Sequence, residues 1–190
     1  LSVQVSKFKK SVQTKRLRLA VVPFRAANTV KITDATRKFE GAITAQLENY
    51  LTQTRRFALV DRSFVKEQTK ELNFIAGGVQ TSMSNEEIAK LGNRIGTDYI
   101  IVGRIEKANM YVTEKKSKVS DTVKKTLTSN ARITLRIIDV ATTQIKFADT
   151  YEKTLNTSIE KVADNLALKI GDVILGSIYP IRIINASSSQ

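Results

Sequence analysis

The 190-residue sequence has no cysteine, no histidine and no tryptophan. The absence of cysteine excludes disulfide bonds and thiolate metal sites. Because histidine is absent as well, an enzyme built on this chain would have to use carboxylate, lysine or serine chemistry. The seven Phe and five Tyr are scattered among apolar positions, so an aromatic stacking surface for single-stranded nucleic acid has little support.

Long apolar runs are also missing. No stretch reaches the roughly 18 apolar residues that a membrane-spanning helix needs. The sequence does not begin like a translation start and shows no signal peptide, so we expect the numbering to begin after a removed export segment or an artificial cut. With 42% apolar and 26% charged residues, the chain is predicted to fold as a globular protein.

Acidic residues are few relative to basic ones: 18 Asp and Glu stand against 31 Lys and Arg, a net charge of +13. This excess favours an anionic partner such as nucleic acid, a lipid headgroup surface or an anionic envelope polymer, without choosing among them. Residues 1–16 form a basic leader that contains no acidic residue. We interpret it as a solvated lead-in or weak edge strand in preference to an arm for an anionic surface.

The stretch 99–105 (YIIVGRI) is predicted to be the central strand of the fold. Its four consecutive large apolar residues leave neither side polar, which is typical of a strand covered on both faces. Gly-Thr-Asp at 96–98 precedes it and indicates the end of a helix and the turn into a strand.

The N-terminal third predicts a strand at 17–24, a loop at 25–33 and a helix at 34–54. Pro23 falls near the end of the strand, where a missing N–H does least damage. The loop lacks the glycine-rich pattern of a phosphate site. Asp34 is the predicted N-cap of the helix. Its buried face is the i, i+4 series Phe39, Ile43, Leu47 and Leu51.

The next elements are a short strand at 56–62, a helix at 64–75, a link at 76–83 and a second helix. Asp61 or Ser63 is suited to cap the first helix. Ser84 and Glu87 have the spacing of a capping box for the second. The side chains predicted to be buried in the first helix are Val65, Leu72 and Ile75.

The C-terminal half predicts a polar segment at 106–126, interpreted as a strand that frays into an exposed hairpin tip and returns. Residues 131–137 alternate, which indicates a strand with one apolar face and one basic, wetter face. A strand at 145–155 follows. Thr157 or Ser158 caps the last helix, Thr157 forming a capping box with Glu160. Residues 181–184 are predicted to be a short closing strand.

This order predicts an α/β (α+β) fold, a mixed sheet of about five to six strands with three to four helices packed on it. We expect a single domain at 17–184, preceded by the basic leader and followed by a polar tail at 185–190.

No catalytic, cofactor-binding or metal-binding set emerges from the sequence. Asp61, Asp98 and Asp139 fall at strand edges or turns, where capping explains them. The candidate functional residues are instead cations that could contact an anionic surface. They are Lys107, Lys115, Lys116, Lys118, Lys124, Lys125, Arg132 and Arg136.

Several phrases, in their order and separation, resemble the curli production assembly component family of CsgG-like proteins. They are 19–24 (LAVVPF), 56–62 (RFALVDR), 91–92 (LG), 96–103 (GTDYIIVG), 136–140 (RIIDV) and 178–182 (IYPIR). The resemblance covers about residues 17–184. It implies a periplasmic domain similar to the N-terminal domain of TolB and to lipoprotein activators of cell-wall synthases. Outer-membrane anchoring would require a lipidated leader upstream of Leu1.

Pore-forming members of that family add membrane-crossing hairpins and assemble into rings. A membrane strand needs about 9–11 residues with an apolar lipid-facing side. Here the first candidate insertion, 110–125, is interrupted by Lys115, Lys116, Lys118 and Asp121. The second, 155–158, is too short to cross. We therefore predict that this protein is not a pore by itself.

Three hypotheses for function follow. The first is a non-enzymatic envelope accessory protein for assembly or secretion, acting on other envelope proteins and able to form a homo-oligomer. The second is a basic domain that binds an anionic polymer, namely nucleic acid, cell-wall polymer or lipopolysaccharide; nucleic acid ranks low because no reader motif is present. The third, an enzyme, is disfavoured by the lack of a catalytic set.

Overall fold

The computed structural model describes residues 16–75, 83–117 and 122–179. The leader through residue 15, most of the predicted link, the predicted closing strand and the tail lie outside these residues. Ten elements follow in chain order. They are β1 (Leu17–Val21), β2 (Arg25–Ala26), α1 (Asp34–Gln53), β3 (Phe57–Leu59), α2 (Arg62–Ile75), α3 (Asn85–Ile95), β4 (Tyr99–Lys116), β5 (Val123–Asp139), β6 (Ile145–Leu155) and α4 (Ile159–Ile178).

The strands form one mixed sheet in the order β3-β1-β4-β5-β6, with β2 also paired to β4. β1 pairs in parallel with both β3 and β4, whereas β4, β5 and β6 form an antiparallel meander. The described residues therefore contain six strands and four helices, which confirms the predicted fold class. The predicted central strand is the start of β4 and lies between β1 and β5, as expected.

Both faces of the sheet are covered near the start of β4. Ile101 faces one core, which α1 and α4 cover, and Ile100 faces the other, which α2 and α3 cover. Both side chains are fully buried. This burial confirms that the apolar run at 99–102 belongs to a strand with no wet side, because neighbouring residues of a strand point to opposite faces.

The first strand is shorter than predicted, and the predicted loop at 25–33 contains strand β2. Pro23 has no N–H for the ladder, so β1 ends at Val21. The Phe24 N–H is donated to Thr44 Oγ1 of α1 at 3.0 Å. The chain then returns to the sheet, where Arg25 and Ala26 pair with Arg104 and Ile105 of β4.

Helix α1 buries the predicted face, with Phe39, Ile43, Leu47 and Leu51 fully inaccessible. The predicted N-cap was wrong by one residue. Thr33 is the cap: it has extended backbone angles and accepts the Thr36 N–H at 3.3 Å. Asp34 is already helical and instead lies 3.6 Å from Arg37 on the surface.

Two of the other predicted caps are confirmed, and the third is confirmed in part. Asp61 accepts the Ser63 N–H at 2.8 Å, and hydrogen bonds from Ser63 lower the pKa of Asp61. Ser84 and Glu87 form the predicted capping box. The N-cap of α4 is Ser158, one of the two predicted residues, although its side chain makes no capping hydrogen bond. Because Thr157 is not the cap, the predicted capping box of Thr157 with Glu160 is wrong.

The packing of the α1 and α4 side depends on two close approaches to glycine. The ring of the fully buried Phe24 crosses Gly103 in β4, and a Cβ at Gly103 would lie 2.4 Å from that ring. The ring of Tyr50 in α1 lies over Gly171 in α4, where a Cβ would lie 2.1 Å from it. Both positions need a residue without a side chain because the aromatic ring occupies that space.

Candidate functional site

The meander extends beyond the body of the sheet as a two-stranded arm. Ile105 is the β4 residue nearest the arm that pairs with β2. Ser129 is the β5 residue nearest the arm that pairs with β6. We define the arm as residues 110–117 and 122–128. Its strands pair with each other up to Lys116 and Val123, and the described chain supplies no third strand beside them. The predicted fraying after residue 106 is therefore wrong.

One face of the arm carries four apolar side chains that no described residue covers, and the ion pair of Glu114 with Lys125 lies among them. Met110, Val112 and Val123 are 37%, 57% and 42% exposed, and the half-buried Leu127 is opposite Val112. Met110 is opposite Ser129, whose Oγ donates to the Thr157 carbonyl just before α4. The apolar face of the arm therefore continues the core face of the sheet past the point where α4 begins. We call Met110, Val112, Val123 and Leu127 the apolar stripe.

The opposite face of the arm is polar and basic. Tyr111 is opposite Thr128, Thr113 is opposite Thr126, and Lys115 is opposite Lys124. Directly opposed like charges destabilise a strand pair. Neither lysine of this pair, nor Lys116 on the stripe side, forms an ion pair with any residue in the described ranges. The end of the arm therefore carries three cations that the described part of the chain leaves uncompensated.

The fourth lysine of the arm within the described residues is compensated. Lys125 is opposite Glu114, and its Nζ lies 3.0 Å from a carboxylate oxygen. Both side chains are exposed, so the pair adds little stability and mainly fixes the charge pattern. The predicted Lys118 lies outside the described residues.

At the base of the arm, two predicted cations share one carboxylate. Arg132 Nη2 lies 2.9 Å and Lys107 Nζ lies 3.7 Å from Glu152 on β6. A hydrogen bond from Asn130 and another from Arg132 lower the pKa of Glu152. Asn130 Nδ2 also donates to Thr154 Oγ1 at 2.6 Å. Lys107 and Arg132 therefore take part in a polar network within the sheet.

Arg136 connects the sheet to α3. Its guanidinium donates to Asn85 Oδ1 at 2.9 Å and to the Met83 carbonyl at 3.3 Å. Burial lowers the pKa of Arg136, and the positive charge of Arg104 lowers it further. The half-buried position and these two acceptors make Arg136 a structural contact between β5 and the start of α3.

The structure thus separates seven of the eight predicted cations into groups, since Lys118 lies outside the described residues. Lys115, Lys116 and Lys124 are free at the end of the arm, Lys125 is paired there, and Lys107, Arg132 and Arg136 lie on the face of the sheet behind it. Sequence reasoning missed the apolar stripe beside them. A signal was present, since Met110 and Val112 are two residues apart, as are alternate side chains on one face of a strand.

Replacing Arg136 by methionine should lower the free energy of unfolding by about 1 kcal/mol, because the Met83 carbonyl and Asn85 lose a charged donor. Urea unfolding followed by circular dichroism measures the change. Arg132→Met is the matched control, and we expect it to cost less than about 0.5 kcal/mol, because its ion pair with Glu152 is exposed. Equal losses in the two variants would contradict the structural role of Arg136.

No cluster suited to a metal ion occurs in residues 16–75, 83–117 and 122–179. The side chains of Asp61, Asp98 and Asp139 each accept a backbone hydrogen bond. Asp98 accepts the Arg18 N–H at 2.7 Å, Asp139 accepts the Thr142 N–H at 3.1 Å, and Asp61 caps α2. Across those same ranges, no helix is both long and apolar enough to cross a bilayer.

The model of one protein family, described as peptidoglycan-synthase activator LpoB, matches residues 40–152. This match covers more than half of the 190 residues and runs from α1 to β6. The chain belongs to the LpoB family. The members of this family are named as activators of a synthase, which agrees with a chain that is not itself the enzyme. The family match also includes the whole arm.

Membership of the LpoB family corrects the predicted assignment to CsgG-like proteins, which was wrong, together with its link to curli. The phrases behind that assignment are buried strands and the turns beside them, such as the start of β4 and the end of β5. Any sequence that folds into this sheet needs similar residues there. The phrases therefore indicated the fold correctly and the family incorrectly.

One solved structure supports the fold, and two others show a lower similarity. The hypothetical protein CT253 from Chlamydia trachomatis has a TM-score of 0.58 at 9% identity, over 87% of this chain and 99% of that one. The LpoB C-terminal domain from Escherichia coli has a TM-score of 0.45 at 12% identity, over 72% and 82%. TolB from Acinetobacter baumannii has a TM-score of 0.45 at 15% identity, over 88% and 29%. No curated protein sequence matches the chain.

Proposed function

We propose that this chain is a non-enzymatic accessory protein of the cell envelope that binds and activates a peptidoglycan synthase. The observation that carries the proposal is the LpoB family match, which spans residues 40–152 and includes the arm and the polar sheet face behind it. Peptidoglycan lies in the envelope, so the protein acts in the periplasm as a single domain of about 17–184. Anchoring to the outer membrane would depend on a lipidated leader.

The described surface supports action through protein contacts. The aspartates that sequence reasoning weighed as catalytic residues accept backbone hydrogen bonds at a helix cap, in a turn and from strand β1. The arm, in contrast, exposes neighbouring apolar side chains and free lysines on one projecting element. Such a combination is typical of a surface that binds another molecule.

A reconstituted synthesis assay tests this function. The purified chain is added to the peptidoglycan synthase of the same bacterium with labelled lipid-linked precursor, and the rate of glycan polymerisation is measured. We expect a several-fold higher rate and a direct complex by surface plasmon resonance. Cytochrome c, another basic protein, controls for non-specific charge. A chain that neither binds the synthase nor changes its rate would refute the proposal.

A second candidate function is binding of an anionic polymer, favoured by the free and directly opposed Lys115 and Lys124. Phosphate or carboxylate groups placed between them would relieve their repulsion. Binding of duplex DNA, soluble peptidoglycan fragments and lipopolysaccharide at 50 and 200 mM salt tests this. Strong binding to one polymer that falls steeply with salt would favour it; no binding at the lower salt concentration would eliminate it.

A further inference from the structure

We propose that the arm is the element that docks on the partner, with its apolar stripe in a hydrophobic groove of the synthase and its lysines against carboxylates on the rim of that groove. This inference rests on the proposed function, because it takes the partner to be a peptidoglycan synthase. It adds the docking element and the chemistry of the surface that receives it.

In the absence of a bound partner, the apolar stripe is exposed to water, which is unfavourable. Val112 and Val123 are more than two-fifths exposed, and Met110 is only slightly less so. Each belongs to the face that α4 covers further along the same strands. Sheets bury one face against another layer, and the described chain provides no layer over the arm. A partner that covers this face would remove the exposed apolar surface from water.

The arm also lacks neighbours in its own plane. A two-stranded hairpin is only marginally stable in water without a third strand or a packed face. The arm has neither among the described residues, although its strands remain paired as far as Lys116 and Val123. Contact with a groove would supply the missing packing and hold the arm in one position.

The free lysines specify the charge of the receiving surface. Lys115 and Lys124 lie directly opposite each other on the polar face, and Lys116 lies on the stripe side. Their repulsion persists in the free protein and falls when carboxylates of a partner lie between and beside them. The receiving groove is therefore expected to have an apolar floor and an acidic rim.

The same arrangement disfavours two other occupants. A second copy of this chain would bring together two molecules of net charge +13, each with uncompensated lysines on its arm. A flat lipid surface can contact only one face of a two-stranded ribbon. The stripe and the Lys115–Lys124 pair lie on opposite faces, so a bilayer would leave one of them unmatched, whereas a groove can enclose both.

Paired variants test the docking role. Val112→Ser with Val123→Ser removes much of the stripe, and Lys115→Glu with Lys124→Glu reverses the charge while keeping like charges opposite each other. The matched controls are Ile32→Ser with Leu168→Ser, which are similarly exposed, and Lys66→Glu with Lys70→Glu on the exposed surface of α2. Val112→Thr with Val123→Thr keeps the side-chain shape and strand preference if the serine variant unfolds.

The measurement is the Kd of each full chain for the purified synthase by surface plasmon resonance, with folding checked by circular dichroism. We expect each arm variant to bind at least tenfold more weakly and each control to stay within about twofold of the unmodified chain. The charge-reversed arm should also lose most of the salt dependence of binding. Sedimentation with vesicles of anionic phospholipid is measured in parallel.

The outcomes separate the two proposals. If the unmodified chain does not bind the synthase, both the proposed function and the docking role fail. If it binds and the folded arm variants bind equally well, the docking role alone is overturned. If the arm variants lose only vesicle binding, the arm contacts lipid and the docking role is overturned in favour of a membrane surface. If the arm variants self-associate less and bind the synthase normally, the occupant is a second copy.

Discussion

Replacing Gly103 by alanine should lower the free energy of unfolding by about 2 kcal/mol, and valine there should cost more. A Cβ at this position would lie 2.4 Å from two ring carbons of Phe24. Phe24 is fully buried, so its ring cannot turn aside into solvent. Adding atoms to such a packed core costs about 1–3 kcal/mol because side chains and backbone must shift. Urea unfolding measures the loss.

Gly41→Ala is the matched control for this substitution. Gly41 is exposed in α1, and a Cβ there would have no neighbour within 4 Å. Alanine is the better helix former by about 1 kcal/mol, so the control should gain stability. Phe24→Leu should partly rescue Gly103→Ala, so the cost of the double variant should be smaller than the sum of the single costs. A stable Gly103→Ala protein would show that the ring does not occupy this space.

Replacing Gly171 by alanine should push α1 away from α4 where Tyr50 lies over Gly171, and it should lower the free energy of unfolding by about 1–3 kcal/mol. The new Cβ would lie 2.1 Å from Tyr50 Cδ1. Tyr50 is held from its other end, because its hydroxyl donates to Asp172. Gly176→Ala is a control in the same helix, since a Cβ there meets nothing within 4 Å, and it should be neutral or stabilising.

The titration of Tyr50 gives this prediction a second readout. Burial, and next the hydrogen bond and negative charge of Asp172, raise the pKa of Tyr50 to about 12. The folded state therefore holds this proton more tightly than the unfolded chain, whose tyrosines titrate near pH 10. The resulting stability is complete below about pH 10 and is lost as the pH rises toward 12.

In the Gly171→Ala protein, a displaced Tyr50 should ionise at lower pH, and the fall in stability above pH 10 should be smaller. Absorbance at high pH and unfolding as a function of pH measure the two effects. An unchanged tyrosine titration together with an unchanged free energy of unfolding would contradict the close contact between these helices.

Much of the fold could be predicted because the relevant signals are local and periodic. The buried face of α1 repeats every four residues, and the Ser84–Glu87 box requires only residues three apart. The start of β4 is apolar on both sides, which few other environments permit. Each of these patterns is stabilised mainly by the element that contains it, so sequence alone identifies it.

Other features depend on contacts that the local pattern does not contain. Thr33 replaces Asp34 as the N-cap because the backbone turns one residue earlier than expected. β2 exists because β4 offers a free edge beyond Val21, which no pattern at 25–33 indicates. The sequence predicts fraying in the arm because the lysines obscure the alternation of Met110 and Val112.

The sequence predicts only part of the candidate site, because the rest also depends on contacts between separate strands. Lysine density marked the correct region, but density cannot distinguish Lys115, which is free, from Lys107 and Arg132, which Glu152 compensates. That distinction requires the register between three strands. The exposure of the apolar stripe likewise follows only from the structure, which shows where α4 stops covering the sheet.

The strand order has a consequence for the way the chain folds. β4, β5 and β6 are consecutive in sequence and α4 follows directly, so their pairing closes only short loops. β1 joins them by pairing with a strand about 80 residues away, as the Arg18–Asp98 hydrogen bond illustrates. Closing that long loop is slow and costs chain entropy. We therefore expect the meander and α4 to form first on refolding. Amide exchange should be fastest in β3, a short strand whose one partner among the described residues is β1.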